Sequence, residues 1–190
     1  MAGVTGATGT GGQKQCAIED YPVAFGGQAM KRRIAVSIVI RSKKAYLPTL
    51  YRSEKHRLYF DQGPVLIVDL LFEDLMEAVK KKVEEGNPPI EVPEDLKERE
   101  RWLKKIRSIL PKAARLKSWR AFVKKARSYS ITFLEDKIIV TMSGPAKGGW
   151  LVADPKKTRE FPPDTPLEEV VRVIWEDICS TPELWEEEAP

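Results

Sequence analysis

Glycines at phosphate-loop spacing are the first chemistry the chain offers. Val4-Thr5-Gly6-Ala7-Thr8-Gly9-Thr10-Gly11-Gly12 has the GxxGxxG spacing of a turn that cradles a pyrophosphate. Such a turn works only when a buried strand enters it and a helix leaves it, aiming amide dipoles at the anion. Too few residues precede this run for a strand, residues 13–20 carry no apolar helical stripe, and no βαβ series follows. The run therefore reads as part of a flexible appendage over residues 1–29, whose composition does not repay the entropy of ordering. A second glycine-rich stretch, Ser143-Gly144-Pro145-Ala146-Lys147-Gly148-Gly149, has Trp150 where a phosphate loop needs its lysine. It reads as a hairpin connection, in which Lys147 is the group that could hold an anion. His56, the sole histidine, lies in the polar run after Arg52-Ser53-Glu54-Lys55 with no nucleophile motif to serve. One histidine and two distant cysteines, Cys16 and Cys179, make neither a zinc ligand set nor a CxxC pair. The expectation is no catalytic residue, no metal and no cofactor: a non-enzymatic protein.

Charge is the stronger signal. Between Lys97 and Arg127 there are 13 lysines or arginines against Glu98 and Glu100, a balance of 13 − 2 = +11. Lys104, Lys105, Arg107, Lys112, Arg115, Lys117, Arg120, Lys124 and Lys125 alternate there with Trp102 and Trp119. Clustered cations neutralise phosphates, and exposed rings stack on unpaired bases, so this segment is the candidate nucleic-acid interface; the same charges also suit an acidic protein partner, ahead of nucleic acid, and the solvated faces of two helices. Both tryptophans also fall in apolar stripes, which favours the core for them. From residue 164 to the end, one base, Arg172, faces nine acids, a balance of 1 − 9 = −8. That segregation marks an interaction surface, or an acidic tail over residues 181–190 that lies across the basic helices.

The elements that must position these groups follow from periodicity. Residues 34–40 are rich in β-branched side chains and read as a strand. Residues 46–51 read as an edge strand, because Pro48 removes a ladder donor. Residues 57–60 and 65–68 complete a first set of strands. Leu71, Phe72, Leu75, Met76, Val79 and Val83 then predict a helix over about 70–85, ended by Gly86 and Pro88-Pro89. Residues 95–110 read as a helix that Pro111 must break or restart. Ser118 can cap another, whose stripe is Trp119, Phe122, Val123 and Ala126. Residues 129–134 and 137–142 flank Glu135-Asp136 as a hairpin, with further strands at 150–153 and 158–161. Thr165-Pro166-Leu167-Glu168 has the form of a capping box. It opens a helix lined by Leu167, Val170, Val171, Ile174, Trp175 and Ile178, whose burial contributes roughly 9–18 kcal/mol gross. The fold class is α+β, an antiparallel sheet of hairpins with amphipathic helices packed on one face. Its organisation is a β-rich half at 30–90, a basic helical segment at 91–127, and a hairpin sheet with a C-terminal helix at 128–180. The two β-then-α halves suggest a duplication, and 30–180 can form one domain.

The longest apolar run, residues 65–72, is interrupted by Asp69, so no bilayer-spanning helix is expected. With no secretory signal in the sequence, a cytoplasmic location is the expectation. Asn87 is the only asparagine amid plentiful Lys, Arg, Glu and Pro, a composition resembling thermophile proteins; a mesophile-range melting temperature would contradict that expectation.

From residue 118 the chain resembles the small immunity-type proteins of bacterial contact-dependent growth inhibition systems. The residues that carry the likeness are Ser118-Trp119-Arg120-Ala121-Phe122, the strand pair after them, Gly148-Gly149-Trp150, and Phe161-Pro162-Pro163-Asp164-Thr165-Pro166-Leu167-Glu168-Glu169. The resemblance implies tight binding of a toxin domain and occlusion of its active site. On that reading Glu168, Glu169, Glu176 and Asp177 meet the cationic cleft of a nuclease toxin.

Overall fold

Sharp turns and short loops fold the first three strands into a meander. In the computed structural model, which describes residues 33–146 and 150–186, β1 (Ile34–Arg41), β2 (Lys44–Ser53) and β3 (Leu58–Asp69) pair in sequence, all antiparallel. The β1–β2 turn places Ser42 and Lys43 at φ 48° and 58°, the two positive values of a type I′ hairpin. The second half repeats the plan with β4 (Arg127–Phe133), β5 (Ile138–Ala146), β6 (Trp150–Ala153) and β7 (Arg159–Phe161). Its first hairpin closes around Glu135-Asp136, where the Leu134 amide donates to the Lys137 carbonyl at 2.8 Å. β1 pairs with β4, so one seven-stranded sheet runs β3-β2-β1-β4-β5-β6, with β7 on β5 beside β6.

Alternation along β1 separates two cores. Val36, Ile38 and Ile40 face the larger one, which α1 (Phe72–Glu85) and α5 (Leu167–Cys179) cover side by side. The six side chains expected to line α5 are its six buried residues. Trp175 packs edge-on between Phe72 and Trp185, at centroid distances of 5.8 and 5.9 Å. Val39 faces the other way, into a smaller core with Tyr46, Leu110, Phe122, Val123 and Ala126. That core is closed by α3 (Ile109–Ala113) and α4 (Trp119–Val123), so the two long amphipathic helices share one face and the basic segment covers part of the other. α2 (Leu96–Arg107) buries no residue; Trp102 reaches Phe60 at 4.8 Å.

Several local expectations need correction. β2 lies inside the sheet, between β3 and β1. Its pairing with β1 ends at Tyr46, and a register shift against β3 falls at Pro48/Thr49, so Pro48 sits where the β1 ladder has already stopped. The gap between β1 and β2 is filled by Asn87. Its Oδ1 accepts from the Ala35 amide at 2.7 Å, and its Nδ2 donates to the carbonyls of Ala35 and Leu50 at 2.9 and 3.0 Å. The helix break falls at Ser108, not at Pro111, which puts the proline in the first turn of α3, where its missing amide costs nothing. The capping box does not form. Pro166 is the N-cap of α5 with no side-chain cap, and Glu168 turns instead to Arg172, four residues on. Lys82, in the last turn of α1, is buried, with Nζ 2.8 Å from both Thr49 Oγ1 and Glu85 Oε2. Ser118 does cap α4, accepting from the Ala121 amide at 3.2 Å.

The glycine run at 4–12, the appendage 1–29, Lys147, Gly148-Gly149, Cys16 and the tail acids Glu187 and Glu188 lie outside the described residues. Cys179 packs half-buried against the larger core and is not a free thiol. Among the described residues, no helix is long and apolar enough to cross a membrane.

Candidate functional site

The four C-terminal acids do not form one free patch. Glu169 and Glu176 are exposed and lie seven residues apart, on the side of α5 away from the sheet. Glu168 is half-buried and paired with Arg172. Asp177 is engaged twice within the fold: Lys157 Nζ donates to Oδ1 at 2.6 Å, and the Tyr129 hydroxyl donates to Oδ2 at 3.0 Å. Burial first, then the Asp177 carboxylate, pushes the Tyr129 phenol well above its ordinary range. Tyr129 is thus a fixed donor from the sheet to α5, with no role as a base or nucleophile near neutral pH.

The basic candidates come from three consecutive helices, of which α3 and α4 close the smaller core on the opposite face. Lys104, Lys105 and Arg107 come from α2, Lys112 from α3, Arg115 and Lys117 from the α3–α4 connection, and Arg120 from α4. All seven are exposed. Among the described residues, the acidic C-terminal segment meets this surface at its corner, where Glu186 Oε2 is 3.6 Å from Lys125 Nζ and Glu183 Oε1 is 3.9 Å from Arg127 Nη2. The tryptophans of the segment are used in packing: Trp102 against Phe60, and Trp119 against Phe122 at 5.8 Å.

Two concave places escaped the sequence reading. A groove of about 970 Å³ runs between the β2–β3 loop and the connector after α1; Glu54, Glu91, Glu94 and Glu98 line it, together with Ile90 and Val92. Lys55 pairs with Glu94 across its rim. The hydrogen bond from Lys55, and after it the lysine's charge, holds the Glu94 carboxyl below the usual carboxylate range. A smaller cleft of about 260 Å³ opens between β5, β6 and α5, with Arg127, Asp154, Lys157 and Asp177 around it. Arg127 lies so close over Gly144 that a Cβ there would come within 2.5 Å of Nη1. Three of the groove acids lie within residues 91–98, and Glu54 joins them only because the β2–β3 loop packs against that connector. Among the described residues, no three His, Cys, Asp or Glu side chains gather as a metal ion would need.

Neither a protein-family model nor a curated protein matches the chain. Solved structures do. A protein of unknown function from Neisseria meningitidis superposes with a TM-score of 0.54 at 15% identity, over 80% of this chain and 95% of that one. A chain of a CdiA-CT/CdiI toxin and immunity complex from Yersinia pseudotuberculosis superposes with a TM-score of 0.53 at 14% identity, over 75% of this chain and 94% of that one. What is shared is the fold.

Proposed function

We propose that the chain is a non-enzymatic binding protein of immunity type, which engages a toxin domain and blocks its active site. The observation that carries this reading is the likeness in fold to a chain of a toxin and immunity complex, over most of both chains. The residues quoted from 118 onward support the same family. The internal engagement of Tyr129, Asp177 and Lys157 adds to it, because these groups hold α5 on the sheet and are not poised for bond-making. Glu169 and Glu176 are the acids left open to a partner. A toxin acting on nucleic acid has a cationic cleft, and acids on a helix face speed encounter with it by long-range attraction.

The test starts from the neighbouring genes, where a toxin gene is expected and its absence counts against the reading; co-production with that toxin domain is followed by stopped-flow association of the purified pair. Protection of the producing cell is expected. Glu169→Lys with Glu176→Lys should slow association about tenfold at low salt, with a smaller effect at high salt. Absence of protection overturns the reading, and unchanged association rates remove these two acids from the interface.

A further inference from the structure

The basic segment contributes far more charge than the fold requires. From Arg101 to Arg127 there are eleven lysines or arginines and no Asp or Glu. A helix face that serves only solubility usually mixes signs, because like charges at helical spacing repel. The smaller core takes Leu110, Phe122, Val123 and Ala126 from this segment, and α2 supplies no buried residue at all. Lys104, Lys105, Lys112, Lys117, Arg120 and Lys124 are exposed, and none of them makes an ion pair among the described residues. Arg115 is exposed too and holds φ 57°, a left-handed conformation that glycine would adopt at less cost.

We infer that the outer surface of α2, α3 and α4 binds the phosphate backbone of double-stranded nucleic acid without sequence preference. Three observations select this occupant. The cations are spread over three elements, and the acid-free part of α2, residues 101–107, adds about 10 Å at 1.5 Å per residue, so the charges form a track suited to a repeating polyanion. Trp102 and Trp119 are packed on Phe60 and Phe122, so neither ring is free to stack on an unpaired base, as single-strand binding would use. Glu98 and Glu100 lie in the first turns of α2, ahead of the run that starts at Arg101, and among the described residues Glu183 and Glu186 pair with Arg127 and Lys125 at the other end. Its α3 and α4 part lies across the sheet from Glu169 and Glu176, so the inference stands apart from the immunity reading.

The test uses the full chain and two unrelated 24-base-pair fluorescent duplexes in anisotropy titrations from 50 to 200 mM KCl. Both duplexes should bind alike, with log K falling against log salt at a slope of about −4 to −6. Replacing Lys104, Lys105, Lys112, Lys117 and Arg120 by glutamine should lower affinity at least tenfold at 50 mM salt and flatten the slope, with the melting temperature retained. A variant with Lys137→Gln, on the β4–β5 hairpin, should bind as the parent does. No binding at 50 mM KCl, equal binding by the five-site variant, or competition by poly-glutamate as effective as by unlabelled duplex overturns the inference; the last outcome assigns the surface to an acidic protein.

Discussion

Removing the Asn87 side chain should be among the most damaging single changes outside the apolar core. Asn87 substitutes for backbone where β1 and β2 part, making three hydrogen bonds of 2.7, 2.9 and 3.0 Å to Ala35 and Leu50. Asn87→Ala leaves one amide and two carbonyls in a half-buried slot. At about 1 kcal/mol net for each bond, and more for any group that water cannot reach, the loss is about 2–4 kcal/mol. For a chain of this length that corresponds to a fall in melting temperature of roughly 4–16 °C. Urea unfolding followed by far-ultraviolet circular dichroism measures it, with an unchanged m-value showing that the sheet itself is retained. Asn87→Asp gives a second check. Its carboxylate keeps the bond from the Ala35 amide but faces two carbonyl oxygens, so near neutral pH it should be at least as destabilising as alanine and should recover part of the loss in acid. An alanine variant within about 0.5 kcal/mol of the parent, the range of an ordinary surface substitution, would refute the reasoning.

Two further changes test other parts of the structure. Burial raises the Asp61 carboxyl to about 6, whereas in the unfolded chain it titrates near 4. The folded protein therefore holds a proton between those values that the unfolded chain has lost, and stability should fall as pH rises from about 4 to 6 and level off above. With some solvent reaching the residue, the contribution is about 1–2 kcal/mol; Asp61→Asn should flatten that window and be the more stable form at pH 7, and parallel pH profiles would rule this out. Ser42→Asn should stabilise the β1–β2 turn by roughly 0.5–1 kcal/mol, since asparagine tolerates the positive φ better than serine; a lower midpoint in urea would contradict the turn assignment.

Local patterns in the chain were legible wherever one side-chain period dominated. The six apolar residues of α5 are spaced so that only one helical face can hold them all, and they are the residues it buries. The hairpin around Glu135-Asp136 and the strand at 150–153 were equally clear. What failed depended on neighbours distant in sequence. Pro48 argues for an edge only if the strand is paired along its whole length on both sides, and β1 leaves it before that point. The burial of Lys82 shows only when Thr49, thirty-three residues earlier, is set beside it. The candidate site divides in the same way: exposure of the basic residues was readable from their density, whereas the commitment of Asp177 to Tyr129 and Lys157 required the β4–α5 packing.

The net charge of +4 conceals a polarised molecule. Glu169 and Glu176 stand on the outer side of the helix layer over one face of the sheet, with Glu73, Asp74 and Glu77 exposed on neighbouring α1. The basic residues of α3, α4 and their connection stand beyond the other face. A helix layer packs about 10 Å from a sheet, so the two charged surfaces are separated by roughly 20 Å or more of protein. Ionic screening acts over about 8 Å at physiological salt, so each surface presents its own sign to a partner and neither cancels the other. The fold does not need this arrangement, because both cores are apolar and complete without it. Two partners of opposite charge can therefore occupy the protein together, and binding on one side should leave the salt dependence of binding on the other unchanged.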